Sequence, residues 1–245
     1  MSGQTTENGA DTVSGLTLRW IGQGGYLLND GKTEICIDPY LSNVVDRVAG
    51  RGRMVKAPFA PGELRSDAVI CTHDHLDHVD IDAIPLMDKE NMMFLAPSGA
   101  EKTLRACGVE HYTPFDDGMT CHIGGFELTA VFADHTVPAV GVLIRHSGIT
   151  MYFSGDTEYN TRLEALASMD IDIMAVCING RLGNMNVGEA VRLTQIIAPK
   201  VGIPTHYGMF ESNTEDPRKY TSRLSCGFEM EYNKEYLVED MLKNV

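Results

Sequence analysis

The sequence predicts an α/β protein in which two packed β-sheets carry helices on their outer faces. Three observations support this prediction: strand-like segments joined by hairpin turns, buried-type strands that alternate with helices, and a second half that repeats the order of the first. The 245 residues suffice for one large domain, and no composition change marks a linker. We therefore predict a single domain over residues 15–245, preceded by a polar, flexible arm over residues 1–14.

The first half begins with hairpins and continues with alternating strands and helices. Asp30-Gly31 favours a hairpin turn, because both residue types readily adopt turn conformations. The apolar run at 68–72 is short and uninterrupted, as in strands buried on both faces. A helix is predicted at 98–108, with Ser98 as N-cap and Glu101 three residues later. Strands are predicted at 16–21, 26–29, 33–38, 68–72 and 92–96.

The second half follows the same scheme. Gly124-Gly125 and Ser147-Gly148 separate two further pairs of strand-like segments, which predicts two hairpins. A helix at 186–198 has Asn186 as its predicted cap and Glu189 at the third position. Pro217 is predicted to start the last helix of the chain. Strands are predicted at 119–123, 126–133, 140–146, 149–154, 172–178 and 201–205.

Charge and composition exclude several partners. The net charge of −14 opposes binding to nucleic acid, and no apolar run is long enough to span a membrane. The scattered cysteines, three of them (Cys36, Cys71 and Cys177) in strand-like runs, predict reduced thiols and a cytoplasmic location. The expected partner is a small anionic molecule, and the sequence leaves room for a homo-oligomer.

One basic stretch interrupts this acidic composition. Arg47, Arg51, Arg53 and Lys56 follow one another with only Asp46 opposing them. Two readings are open: a solvated loop, or a basic flap that meets an anionic substrate.

The motif HDHLDH places nitrogen and oxygen donors directly after an apolar strand. Side chains alternate along a strand, so His73 and His75 point the same way, and Asp77 and His78 follow within the next turn. Clusters of histidine and aspartate at this spacing favour divalent metals. Such a cluster needs further donors from elsewhere in the chain.

Three downstream residues each terminate an apolar strand: His135, Asp156 and His206. Strand ends commonly meet at one edge of a sheet, where α/β proteins place their ligands. We therefore expect these side chains to join the HDHLDH donors.

With the early IDPY at 37–40, the SGD at 154–156 and the HYG at 206–208, these motifs resemble the metallo-β-lactamase superfamily. The resemblance implies a four-layer αβ/βα sandwich with a two-metal site between the sheets. It implies that His73, His75 and His135 hold the first metal, that Asp77, His78 and His206 hold the second, and that Asp156 bridges them. His and Asp donors accept Zn²⁺ or Mn²⁺, and also Fe²⁺.

Within the superfamily, segments 179–193 and 203–210 look like the L-ascorbate-6-phosphate lactonase branch. This resemblance implies a hydrolase for a small, phosphorylated lactone or ester, with Asp77 and Asp156 in the catalytic centre. Two divalent cations lower the pKa of a bridging water toward about 7, which supplies a hydroxide nucleophile. A small-molecule phosphodiesterase of the same fold is the alternative. A non-catalytic metal-binding protein would not need to retain every donor.

Several residues near these strand ends have two readings each. Asp38 either hydrogen-bonds a ligand imidazole or is a turn residue before Pro39. Arg181 and Asn184 either contact a substrate phosphate, near the start of the 186–198 helix, or stabilise a loop. Tyr207 either donates to substrate or packs. Stretches 42–62 and 179–186 are expected to cover the site.

Overall fold

Two mixed β-sheets face each other in the computed structural model, which describes residues 15–243. Helices lie against the outer face of each sheet, so the predicted four-layer αβ/βα sandwich is confirmed. The arm predicted over residues 1–14 lies outside the described residues.

The first sheet has seven strands, in the order β13-β1-β2-β3-β4-β5-β6. Strands β13, β1, β2 and β3 pair antiparallel, and β3 to β6 pair parallel. The predicted turn between β2 and β3 is closed by the Asp30 carboxylate, which accepts from the backbone N–H groups of Lys32 and Thr33. The strands are β1 (Thr17–Gly22), β2 (Gly25–Asn29), β3 (Glu34–Ile37), β4 (Ala68–Ile70), β5 (Met93–Ala96), β6 (Tyr112–Pro114) and β13 (Glu235–Leu237).

The second sheet has six strands, in the order β12-β11-β10-β9-β8-β7. Strands β7 to β10 pair antiparallel through two hairpins, and β10 to β12 pair parallel. Both sheets therefore run hairpins first and parallel strands afterwards, as the repeated sequence pattern predicts. The strands are β7 (Thr120–Ile123), β8 (Phe126–Phe132), β9 (Val140–His146), β10 (Ile149–Phe153), β11 (Ile173–Cys177) and β12 (Val201–Thr205).

Five α-helices lie in the described chain, together with short 3₁₀ segments. The predicted cap of α3 is present: the Asn186 side chain accepts from the Glu189 N–H, and the Glu189 carboxylate accepts from the Asn186 N–H. Over residues 15–243, no helix is long and apolar enough to cross a membrane. The helices are α1 (Val44–Ala49), α2 (Glu101–Ala106), α3 (Val187–Ile197), α4 (Arg218–Thr221) and α5 (Val238–Lys243). The 3₁₀ segments are Pro61–Glu63, Ile84–Leu86, Lys89–Asn91, Ser98–Ala100 and Thr161–Met169.

The strand β4 shows how the layers are held together. Its consecutive residues Val69 and Ile70 are both fully buried, on opposite faces of the sheet. Ile70 packs in the core between the two sheets, and Val69 packs under the outer helices. Each such side chain contributes about 1.5–3 kcal/mol by leaving water. The uninterrupted apolar run is therefore explained by burial on both faces.

Three details of the predicted elements are wrong. Ser98 does not cap a helix, because its hydroxyl donates to Asp116 and the chain there forms a 3₁₀ turn. The helix after Pro217 is not the last, since β13 and α5 follow it. The pattern also missed α1 and β6. These elements are short, and their partners are distant in sequence, so local periodicity carries little signal for them.

Candidate metal centre

Three histidines converge at one edge of the sandwich. Nδ1 of His75 lies 3.0 Å from Nε2 of His73 and 3.2 Å from Nε2 of His135. His73 leaves β4 and pairs its backbone with Ala139, just after the turn that carries His135. The two sheets thus meet here, and three imidazole nitrogens surround one point.

A second group lies beside the first. Oδ2 of Asp77 is 3.8 Å from Nε2 of His78 and 3.6 Å from Nε2 of His206. His206 follows β12 with a left-handed backbone (φ 61°), and its N–H donates to the carbonyl of Gln23. The end of the second sheet is therefore fixed against the first hairpin of the first sheet.

Asp156 stands between the two groups. Its Oδ2 lies 4.0 Å from Nε2 of His73, and its Oδ1 lies 3.5 Å from Nε2 of His78 and 3.1 Å from Nε2 of His206. One carboxylate oxygen faces each group, which is the orientation that a bridging ligand requires. The structure thus brings together all seven predicted donors.

The donor atoms fit a divalent cation. Nε2 of His78 and Oδ1 of Asp156 are buried and have no hydrogen-bond partner in the described part of the chain. Leaving a buried polar atom unpaired costs about 1–3 kcal/mol. Coordination of a cation would satisfy both atoms, and imidazole and carboxylate are the common ligands of Zn²⁺, Mn²⁺ and Fe²⁺.

Neighbouring groups aim the imidazoles at the centre. Oδ2 of Asp38 lies 2.7 Å from Nδ1 of His78, and the same carboxylate accepts from the N–H and hydroxyl of Thr72. Nδ1 of His135 lies 2.9 Å from the carbonyl oxygen of Gly183. Both contacts hold a proton on Nδ1 and leave Nε2 free for a metal. Of the two readings of Asp38, the structure shows the imidazole partner.

Without a cation, the centre holds protons instead. Burial alone would lower the pKa of His206, but the nearby carboxylates of Asp156 and Asp77 raise it to about 9. Burial would raise the pKa of Asp156, yet His206 and His78 hold it well below its usual value. Among the described residues, His73 has no carboxylate at hydrogen-bond distance, and burial and the nearby His78 lower its pKa. A protonated His206 therefore balances ionised carboxylates in the metal-free protein.

Comparison with known proteins identifies the family. The family model of the β-lactamase superfamily domain matches residues 33–207, a range that contains every donor described above. A UPF0173 metal-dependent hydrolase from Pyrobaculum islandicum is 30% identical over 219 residues, which are 86% of this chain and 92% of that protein. The chain belongs to the UPF0173 metal-dependent hydrolase family of the β-lactamase superfamily.

Solved structures share the fold of this hydrolase. A possible metal-dependent hydrolase from Veillonella parvula superposes with a TM-score of 0.77 at 18% identity, covering 91% of this chain and 99% of that one. An isothiocyanate hydrolase from Delia radicum gut bacteria superposes with a TM-score of 0.74 at 19% identity, covering 90% and 98%. Likeness at these identities shows the metallo-β-lactamase fold alone.

A pocket of about 370 Å³ opens above the metal centre of the hydrolase. His75, Asp77, Asp156 and His206 form part of its lining, so the cluster is accessible from solvent. Both stretches expected to cover the site contribute to its walls. The remaining lining residues are Val45, Ala49 and Arg51 from the first stretch, Leu182 from the second, and Leu76, Thr136, Phe210 and Asn213.

The three arginines of the basic stretch differ in the contacts that their side chains make. Arg47 forms a two-point ion pair with Asp82, at 2.6 and 2.8 Å. The Arg53 guanidinium donates to the carbonyls of Tyr40 and Val55 and lies over the Tyr40 ring. Arg51 is exposed at the pocket, and its side chain makes no hydrogen bond or ion pair within residues 15–243. One residue of the stretch is thus placed to meet a substrate.

The other predicted substrate contacts lie outside the pocket lining. Arg181 is exposed, and its guanidinium donates to the carbonyl of Ser212 at 3.4 Å. Asn184 is buried, and its side-chain NH₂ group donates a hydrogen bond to Oδ1 of Asn179. The Tyr207 ring packs on Trp20 with centroids 4.8 Å apart. The positions of Arg181 and Asn184 thus match the reading in which they stabilise a loop, and the position of Tyr207 matches the reading in which it packs.

Gln23 is a site residue that the sequence analysis missed. It is fully buried at the tip of the β1–β2 turn, with its amide nitrogen 2.7 Å from Oδ2 of Asp77 and 3.1 Å from Nε2 of His206. The only local signal is a polar amide among the glycines Gly22, Gly24 and Gly25. At Gly24, an added Cβ would lie 3.1 Å from the His78 ring, so a side chain there would crowd a predicted ligand.

Proposed function

We propose that this metal-dependent hydrolase uses two divalent cations to cleave a small anionic lactone or ester, as in the L-ascorbate-6-phosphate lactonase branch that its sequence resembles. The observation that supports this proposal most directly is the arrangement of the pocket. A His/Asp cluster forms its floor, and Arg51, which has no hydrogen-bond or ion-pair partner among the described residues, lies at its wall.

The donors divide naturally between two cations. One cation would be held by His73, His75 and His135. The other would be held by Asp77, His78 and His206, and Asp156 has one carboxylate oxygen facing each group. Bound divalent cations lower the pKa of water toward about 7 and polarise a carbonyl or phosphoryl oxygen. The protein's own part is to aim the imidazoles at the cations, through contacts such as Asp38 to His78 and Gly183 to His135.

The pocket walls favour a small substrate. Leu76, Leu182 and Phe210 supply apolar surface around the polar floor, and a volume of about 370 Å³ suits a metabolite-sized molecule. An apolar wall also limits the water that competes for the reacting group. A phosphate or carboxylate on the substrate would find its charge partner in Arg51.

The proposal is tested by assaying protein loaded with Mn²⁺ or Zn²⁺ against matched lactones, carboxylic esters and phosphodiesters, with and without a phosphate group. We expect turnover of phosphorylated lactones or esters and its loss after chelation. Turnover of small phosphodiesters alone would indicate the phosphodiesterase alternative. A loaded protein that hydrolyses none of these classes would contradict the proposal.

Arg51→Ala tests the anion contact, with Arg181→Ala as its matched control. We expect Arg51→Ala to lower kcat/KM about tenfold or more for a phosphorylated substrate, because charge-assisted hydrogen bonds contribute roughly 1.5–3 kcal/mol. It should scarcely change the value for an uncharged analogue. Arg181→Ala, which removes the same charge outside the pocket, should leave both values near the wild type. Equal losses in the two variants would mean that Arg51 is not the specific contact.

A further inference from the structure

Gln23 reaches the second half of the metal centre from the β1–β2 turn of the first sheet. Its backbone is left-handed (φ 54°), and its carbonyl accepts hydrogen bonds from the Trp20 ring, the Thr205 hydroxyl and the His206 N–H. Three contacts thus fix the main chain independently of the side chain. The side chain, aimed at Asp77 and His206, can change without loss of those contacts.

The Gln23 amide lies close to two of the predicted metal donors. Its terminal nitrogen, Oδ2 of Asp77 and Nε2 of His206 form a triangle with sides of 2.7, 3.1 and 3.6 Å. Donor atoms that share one divalent cation at about 2.1 Å lie roughly 3.0–3.4 Å apart in tetrahedral or octahedral geometry, so the 2.7 and 3.6 Å sides would each change by about 0.2–0.3 Å around a bound cation. A cation held by Asp77, His78 and His206 would therefore border the Gln23 amide.

The amide also has an unused acceptor. Oε1 of Gln23 is buried and has no hydrogen-bond partner within residues 15–243. In the absence of a cation, the NH₂ group donates to the Asp77 carboxylate. Beside a cation, the same NH₂ would turn its positive hydrogens toward a positive charge. Rotation of the side-chain amide by 180° would turn Oε1 toward the cation instead, because oxygen and nitrogen exchange places in a group of nearly the same shape.

We propose that Gln23 is a further ligand of the cation held by Asp77, His78 and His206, through its Oε1 atom. The assignment rests on the metal centre of the proposed function and adds a neutral oxygen donor to it. Zn²⁺ is satisfied by four ligands, which Asp77, His78, His206 and Asp156 already supply. Mn²⁺ prefers oxygen donors and six-fold coordination. Gln23 therefore shifts this position toward Mn²⁺.

Two substitutions separate this role from a purely structural one. Gln23→Leu removes the amide at similar length. Gln23→Glu keeps the shape and an oxygen but cannot donate a hydrogen bond to Asp77. If Gln23 only held Asp77 in place, Gln23→Glu would weaken metal binding by repulsion between carboxylates. If Gln23 is a ligand, the added charge strengthens binding. Asn233→Leu is the matched control, since Asn233 also has a left-handed backbone and an unpartnered amide oxygen, but within residues 15–243 its side chain hydrogen-bonds none of the donors of the metal centre.

The experiment measures metal binding directly. Mn²⁺ is titrated by loss of the free-ion electron paramagnetic resonance signal, Zn²⁺ by competition with a chromophoric chelator, and folding by circular dichroism. We expect Gln23→Leu to weaken one of two Mn²⁺ sites about tenfold or more and Zn²⁺ by less than about threefold. Gln23→Glu should bind Mn²⁺ at least as tightly as the wild type, and Asn233→Leu should match the wild type.

Three results would overturn the assignment. Wild-type Mn²⁺ affinity in Gln23→Leu would show that the amide is not a ligand. Weaker binding in both Gln23 variants would indicate that the amide only orients Asp77. If the wild-type protein bound no divalent cation, the metal centre of the proposed function would fail as well, which distinguishes that failure from the other two.

Discussion

Asp156 shows how much of the centre depends on one residue. It is nearly buried, and its two oxygens face different groups of imidazoles. Within residues 15–243, neither His73 nor His206 has another carboxylate so well placed to connect the two halves. The residue follows β10 directly, so the sheet itself sets the position of the bridge.

Asp156→Asn should keep the fold and lose one cation. An amide has nearly the same shape as a carboxylate but places no negative charge between two cations, so we expect metal content to fall toward one per chain. Loss of a metal-linked carboxylate should also lower kcat by about a hundredfold or more. Elemental analysis and steady-state kinetics on the same preparation check this. Full metal content with undiminished turnover would contradict the bridging role.

At the scale of elements, loops rather than strands complete the site. The loop between β11 and α3 carries Gly183, whose carbonyl orients His135 and whose φ is 86°. An added Cβ at Gly183 would lie 2.8 Å from Nδ1 of His135. The loop thus presses against a predicted ligand on one side and contributes Leu182 to the pocket on the other.

Gly183→Ala should therefore displace His135 and weaken the cluster with His73 and His75. Gly148→Ala is the matched control, because Gly148 also has a left-handed φ (79°), but no atom of the described chain lies within 4 Å of a Cβ added there. Both variants should lose about 1 kcal/mol of unfolding free energy from backbone strain. Only Gly183→Ala should lose metal affinity, by about tenfold or more. Chelator competition and denaturant unfolding separate the two effects, and equal metal affinity in both variants would contradict the expectation.

At the scale of the whole molecule, the metal centre joins the two sheets. Asp77 and His78 follow β4 of the first sheet, whereas Asp156 and His206 follow β10 and β12 of the second. The chain carries a net charge of −14, so bound cations also reduce its overall self-repulsion. Metal binding should consequently stabilise the complete sandwich.

The gain in stability from metal should grow as pH rises. In the metal-free protein the pKa of His206 is raised from 6.5 to about 9, so its charged pair with Asp156 stabilises the fold fully below about pH 6.5. That contribution is lost as pH rises through about 9, because the imidazole loses its proton. The loaded protein has no such proton to lose. We expect the difference in Tm between loaded and chelator-treated protein to widen between pH 6.5 and pH 9.5, as measured by calorimetry; a constant or shrinking difference would contradict this.

The sequence by itself determined the donors and the fold class. HDHLDH and three polar residues at strand ends identify His73, His75, Asp77 and their partners, because side chains alternate along a strand and the strand ends of α/β proteins commonly meet at one edge of a sheet. The Asn186 cap of α3 was equally predictable, since the capping box lies within four consecutive residues.

Only the tertiary structure decided which neighbouring side chains reach the site. Arg47, Arg51 and Arg53 look alike in the sequence, but Arg47 is held by Asp82 and Arg53 by backbone carbonyls such as that of Tyr40, which leaves Arg51 at the pocket. Gln23 enters the centre because its carbonyl is bound by Thr205 and His206, more than 180 residues away. Loop conformations of this kind depend on contacts between distant segments, and no local pattern of residue types encodes those contacts.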